Sequence, residues 1–269
     1  KALSTSVDGD ENVAIGYLAL EDYEDGDGNG HNTAVGARSQ REATTGEFNT
    51  SLGSLSMGVG VTTSDYNVAI GYQAGTALTA GEKNTLIGSL AGDALTTGHF
   101  NVAVGYLALS TEDAHGTNVA IGTAALQTLN AGADGHNVAV GHDAGKLMTT
   151  GVQNTIVGSN AGDAITTGTY NTAIGYLALS AEDAHGRNTA IGYGTLKVQD
   201  AGADGFNTAV GMEAGLAVST GKQNTLLGAN AGDALTTGDN NIIIGHTAAA
   251  AGVGVDNTTV IGTTATTSA

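Results

Sequence analysis

Several side chains in this sequence are spaced as ligands or contact groups would be. Asp25-Gly-Asp27-Gly-Asn29-Gly30 reproduces the opening of an EF-hand loop, with oxygen ligands at positions 1, 3 and 5 and Gly at 6. Position 12 is Gly36 rather than the bidentate Glu, so a calcium ion at Asp25, Asp27 and Asn29 competes with a solvated acidic turn. Glu112-Asp113-Ala-His115 and Glu182-Asp183-Ala-His185 carry metal-ligand residue types. The two groups lie four repeat units apart, roughly 19 Å at strand spacing, so they cannot share an ion within one chain. Copies at a threefold axis would meet only if these loops pointed inward. The plainer alternative is a set of charged loop tips that block sideways sheet growth. Paired threonines (Thr96-Thr97, Thr149-Thr150, Thr166-Thr167, Thr236-Thr237) suggest a surface that orders water or ice, although acidic stretches interrupt the row. Tyr17, Tyr72, Tyr106, Tyr176 and Tyr193 each follow a Gly and offer an aromatic stripe to a receptor or glycan, or to a neighbouring chain. Asn49-Thr-Ser and Asn257-Thr-Thr fit the N-glycosylation pattern, which a Thr-rich chain also produces by chance. No nucleophile stands beside a base, and the His residues are scattered, so no catalytic residues are expected and the chain reads as a non-enzyme.

The composition narrows the partners. With 8 Lys and Arg against 26 Asp and Glu, a formal charge of −18 leaves no basic stripe for nucleic acid or an anionic membrane surface. The absence of Cys excludes a disulfide framework, and no apolar run has the length of a membrane span. Aromatics are only 4%, which implies a thin core filled by Ala, Val, Ile and Leu. An acidic, Lys-poor, Thr-rich surface suits a secreted protein, and a chain starting at Lys1 is expected to be processed or trimmed.

The elements that would position these side chains repeat. NVAIGYLAL at Asn12, NVAVGYLAL at Asn101 and NTAIGYLAL at Asn171 are versions of one phrase. Its anchoring asparagines are Asn12, Asn32, Asn49, Asn67, Asn84, Asn101, Asn118, Asn137, Asn154, Asn171, Asn188, Asn207, Asn224, Asn241 and Asn257, most of them 17 residues apart. A short fixed period of this kind signals a solenoid. From Asn67 a 70-residue period of four coils is superimposed, since Asn67, Asn137 and Asn207 stand in the same text. The expected organisation is a lead-in segment or cap at 1–11, one solenoid at 12–262 and a polar tail at 263–269.

Each coil reads as two short parallel strands. Val102-Ala-Val104-Gly is too short and too β-branched for a helix, and it alternates with a period of two. The aliphatic position before the Gly is expected to form the core row: Ile15, Ile70, Ile87, Val104, Ile121, Val140, Val157, Ile174, Ile191, Val210, Leu227 and Ile244. Ala and Gly then face outward and allow close approach of a neighbour. A small residue three after the Gly marks the turn, and a second strand such as Ala94–Thr96 or Ala164–Thr166 follows. Thr-Gly makes the closing turn. Stacked coils would line up the asparagines in a hydrogen-bonded column. Fifteen coils at about 4.8 Å give a rod on the order of 70 Å long.

The N-x-x-[VI]-G phrase resembles the head repeats of YadA-type trimeric autotransporter adhesins and related repeats of phage tail fibres, over residues 12–262, and Asn257–Gly262 (NTTVIG) matches their six-residue spacing. The other coils are one residue shorter between Asn and Gly, and 17 rather than about 14 residues long. The resemblance implies a left-handed parallel β-roll, assembled as a homotrimer and displayed extracellularly on a cell or virion surface. Self-association is also expected from the strand itself, because both of its faces are non-polar and a two-sheet roll buries only one. The expected function is therefore a structural and adhesive fibre protein that mediates surface attachment to a receptor or glycan. A filament subunit stacking head to tail is the alternative, since neither end carries a capping helix or a Pro-rich stop. Ice or mineral-surface binding is the third. No nucleic acid, no membrane insertion and no cofactor other than the calcium ion are expected.

Overall fold

The structure, a computed structural model, describes residues 2–3, 11–24, 30–182 and 184–262. It is all-β: fifteen three-residue strands, all parallel, build a β-solenoid with one strand per coil of about 17 residues. The chain forms two compact units, Lys1–His136 and Asn137–Ala269. The first carries β1 (Val13–Ile15), β2 (Thr33–Val35), β3 (Thr50–Leu52), β4 (Val68–Ile70), β5 (Thr85–Ile87), β6 (Val102–Val104) and β7 (Val119–Ile121). The second carries β8 (Val138–Val140), β9 (Thr155–Val157), β10 (Thr172–Ile174), β11 (Thr189–Ile191), β12 (Thr208–Val210), β13 (Thr225–Leu227), β14 (Ile242–Ile244) and β15 (Thr259–Ile261). Within each unit every strand pairs with the next in unbroken register, as Thr172, Ala173 and Ile174 do with Thr189, Ala190 and Ile191.

Backbone geometry explains why the strands are so short. The Gly that follows each strand has a φ near +135° (Gly175 +134°), which only Gly adopts readily. The residue two further on is left-handed, as at Leu107 (57°), Asn160 (53°) and Leu177 (56°), so the chain leaves the sheet at once. The expected second strand is not formed. Ala94–Thr96 and Ala164–Thr166 lie in turns and bends, whose backbone groups still bond from coil to coil, as Gly92 N–H does to Ala108 C=O at 2.9 Å.

The core row is a correction. Ile15, Ile70, Ile87, Val104, Ile121, Val140, Val157, Ile174, Ile191, Val210, Leu227 and Ile244 point outward, exposed or half-buried, and Ile15 is 60% exposed. The middle residue of the strand is the one inside: Ala34, Ala69, Leu86, Ala103, Ala120, Ala139, Ile156, Ala173, Ala190, Ala209, Leu226 and Ile243 are all fully buried. A three-residue strand has one inward side chain, and the turn segment of the same coil packs opposite it, so little room remains beyond an Ala. The small residue three after the Gly (Ala74, Ala91, Ala108, Ala125, Ala144, Ala161) is fully buried at the bend.

Core volume explains the four-coil period. Where the strand contributes Leu86 or Ile156, the turn facing it has Gly92 or Gly162; a Cβ on Gly92 would lie 2.8 Å from a Leu86 methyl carbon. Where the strand contributes Ala103 or Ala173, the corresponding turn residue is Leu109 or Leu179, again fully buried. In each period two glycine coils (Gly75, Gly92) are followed by two leucine coils (Leu109, Leu126); the strand residue beside Gly75 is only Ala69, and Leu86 of the next coil fills that space too, 2.7 Å from where a Cβ on Gly75 would lie.

From Asn32 to Asn241 the asparagines are buried on the inner side of the coil, and Asn12 is half-buried. Within each unit the Oδ1 of one accepts the backbone N–H of the next, as from Asn84 to Asn67, Asn101 to Asn84, Asn154 to Asn137 and Asn171 to Asn154, all at 2.9 Å. In most coils the Nδ2 donates to the carbonyl that closes its own coil, as from Asn84 to Gly98 and from Asn154 to Gly168, both at 2.9 Å; the Nδ2 of Asn12 and of Asn188 makes no such bond. Asn257 departs from this arrangement. It is exposed, and Thr258 N–H takes the bond from Asn241 Oδ1 at 2.9 Å. The last coil thus has the ordinary spacing counted from Thr258.

Candidate functional site

The most distinctive surface is the outward face of the strands. Their first and third residues are Thr, Val, Ile or Leu in all fifteen, none of them buried and none charged. In a chain with 26 Asp and Glu this face is kept free of charge while the turns carry it. Exposure is 47% at Leu52 and 46% at Leu227, and reaches 75% at Ile261.

Two further rows flank it. Tyr17, Tyr72, Tyr106, Tyr176 and Tyr193 are each about half exposed, and Tyr176 stacks on Tyr193 with ring centroids 5.6 Å apart. The second row precedes each Asn. Its residues are left-handed, among them Phe48 (φ 56°), Tyr66 (59°), Phe100 (59°), Tyr170 (59°), Arg187 (64°) and Phe206 (51°). In the first unit His31 stacks on Phe48 at 4.8 Å and Phe48 on Tyr66 at 5.0 Å, and Lys83 Nζ lies 5.9 Å from the Tyr66 ring and 5.4 Å from that of Phe100. In the second, Arg187 lies 5.1 Å from the Tyr170 ring and 5.5 Å from that of Phe206. The ladder offsets some of the left-handed strain by stacking and cation–π contact. It went unnoticed in the sequence, where its signal was an aromatic or cationic residue recurring just before the Asn.

The Glu-Asp-Ala-His loops place Glu and His together in both copies. Glu112 is fully buried; its Oε1 accepts the His115 N–H at 3.1 Å and its Oε2 the Ala131 N–H at 3.2 Å. His115 Nδ1 stands 3.4 Å from Glu112 Oε1. Glu182 is fully buried too, with His185 N–H at 3.2 Å and His185 Nδ1 at 3.6 Å from its Oε1. Ligand-type atoms of Glu112, Asp113 and His115 lie within 4.8 Å of one another, as do those of Glu182, His185 and Asp200. Asp183, named from the sequence, lies outside the described residues, and so do Asp25, Asp27 and Asn29 of the calcium loop. The paired threonines spend hydroxyl groups on the next coil: Thr96, Thr149 and Thr236 Oγ1 donate to the carbonyls of Asp113, Thr166 and Val253 at 2.7, 3.2 and 3.0 Å.

Asp93 and Asp163 occupy equivalent turns, and each has a buried Oδ1 with no hydrogen-bond partner. Burial pushes both carboxyl groups above the ordinary value of 3.8. Between 3.8 and the raised value the folded chain holds protons that the unfolded chain releases. Their contribution to stability is therefore full at acid pH and is lost as pH rises through the folded-state value. The Asp93→Asn, Asp163→Asn double variant is expected to melt above the parent at pH 7.5, with the gap closing toward pH 4. Melting curves across that range test this, and a gap that does not change with pH would contradict it.

Among the described residues no helix is long and apolar enough to cross a membrane. Comparison with protein-family models, with curated proteins and with solved structures finds no match to this chain.

Proposed function

We propose that this chain is a structural, non-catalytic and adhesive element of an extracellular fibre, assembled as a homotrimer through the outward face of its strands. The observation that carries this reading is the uninterrupted absence of charge along that face. Solvated faces of acidic proteins carry Asp and Glu, whereas interface cores are depleted of them. Three-fold closure and left-handed winding follow the YadA-type resemblance. The tyrosine row borders the face and is left to contact a receptor or glycan on the surface to which the fibre attaches.

Ile174→Lys and Leu227→Lys test the reading, because both residues point outward and neither fills the core. Each variant is expected to keep the parent circular dichroism and to elute as a monomer. Unchanged association in both would overturn the proposal.

One observation favours a second reading of the same face. Thr155, Thr172, Thr189, Thr208 and Thr225 stand side by side on β9–β13, each next to an aliphatic residue. A bare face of this kind would order water at strand spacing, and thermal hysteresis of a monomeric preparation would support ice binding over assembly.

A further inference from the structure

We infer that the two Glu-x-x-His loops are divalent-metal sites for zinc or a similar first-row ion, one in each unit, held by Glu112, His115 and Asp113 and by Glu182, His185 and Asp200. The Glu112 carboxylate is buried without a full counter-charge. Glu112 is fully buried, and its partners are two backbone N–H groups and the nearby imidazole, with no Lys or Arg. A buried carboxylate without a cation is costly. The imidazole has a matching deficit. The Nδ1 atoms of His115 and His185 are both shielded from solvent and lack a hydrogen-bond partner.

The spacing points to an ion rather than a hydrogen bond. A charge-assisted N–H···O contact closes to about 2.7–2.9 Å. Two donors each about 2.1 Å from a tetrahedral zinc ion stand roughly 3.4 Å apart. The observed Nδ1 to Oε1 separations are 3.4 and 3.6 Å. In Glu112 each carboxylate oxygen accepts one backbone N–H, which leaves its second lone pair for coordination. An imidazole in the donor set favours zinc, nickel or copper over calcium and magnesium. Three protein ligands leave a fourth position for water.

The two copies make the case independently. Between Thr111–His136 and Ala181–Phe206 the chain differs at eleven positions, among them Thr117 and Arg187, Gln127 and Lys197, and Leu129 and Gln199, yet the Glu and His keep the same positions and burial. Among the described residues the third member is Asp113 in one loop and Asp200 in the other. Asp200 comes from the following turn, where the first copy has Asn130.

The test uses the full chain without a polyhistidine tag, stripped by chelator and titrated with zinc chloride by calorimetry. Two ions per chain are expected, falling to one in His115→Ala and in His185→Ala and to none in the double variant. Cobalt(II) should give visible absorption that the double variant lacks. His142→Ala, at an exposed His outside both loops, should leave the count at two. Circular dichroism of the variants separates loss of ligand from loss of fold. No uptake by the parent chain, or the same uptake by a folded double variant, would overturn the inference.

Discussion

Gly158→Ala is expected to destabilise the second unit by about 3–5 kcal/mol, through a backbone conformation that Ala resists and a clash that cannot relax. Gly158 has φ +135°, and an added Cβ would sit 2.5 Å from the Gly175 carbonyl oxygen and 2.6 Å from its carbon. Those atoms belong to the backbone of the neighbouring coil, whose N–H bonds back to Val157 C=O at 2.7 Å. Movement away would break that bond and pass the displacement to the next coil. Gly132 provides the control, since with φ +69° and nothing within 4 Å of its would-be Cβ, Ala there costs only about 1 kcal/mol. Unfolding of a stack need not be two-state. Hydrogen exchange read strand by strand is therefore the better measurement. Protection of β9 and β10 should fall steeply in Gly158→Ala and stay near the parent level in Gly132→Ala. Equal protection in the two variants would contradict the account of the turn.

The asparagine column should be almost as sensitive. Asn154→Ala removes the acceptor for Asn171 N–H and the donor to Gly168 C=O, both at 2.9 Å, in a fully buried position. Each orphaned group costs about 1–3 kcal/mol, so a loss of roughly 2–5 kcal/mol is expected. Asn154→Asp restores the acceptor but sets an oxygen against the Gly168 carbonyl and buries a charge, so it should be no milder than Ala near neutral pH. Thermal and denaturant unfolding of both variants provide the check. An Asp variant as stable as the parent would show that the Nδ2 bond contributes little.

Much of this fold was legible because its period is short and strict. The 17-residue recurrence of Asn and Gly places every strand from β1 to β14, and the period-two alternation separates Val102 and Val104 from Ala103. Alternation does not say which face is inside. The larger side chains were the natural choice for the core, whereas the coil is so thin that Ala103 fills it with Leu109 opposite. The clue was in the compensation: Gly92 faces the coil that holds Leu86, and Leu109 faces the one that holds Ala103. Asn257 misled because it stands one residue before the true column position, Thr258. The second strand was expected from Ala94–Thr96, but left-handed residues and glycines turn the chain before a ladder forms. For the metal loops, residue types were visible at once, while the burial of Glu112 and the isolation of His115 Nδ1 depend on how neighbouring coils close over them.

Whether other copies of the chain cover the uncharged strand face can be read from light scattering coupled to size exclusion, over a hundredfold range of concentration. A discrete mass near three times 26.4 kDa that does not grow with concentration is expected. A folded monomer throughout that range, or a mass that climbs without limit as in head-to-tail filaments, would contradict it.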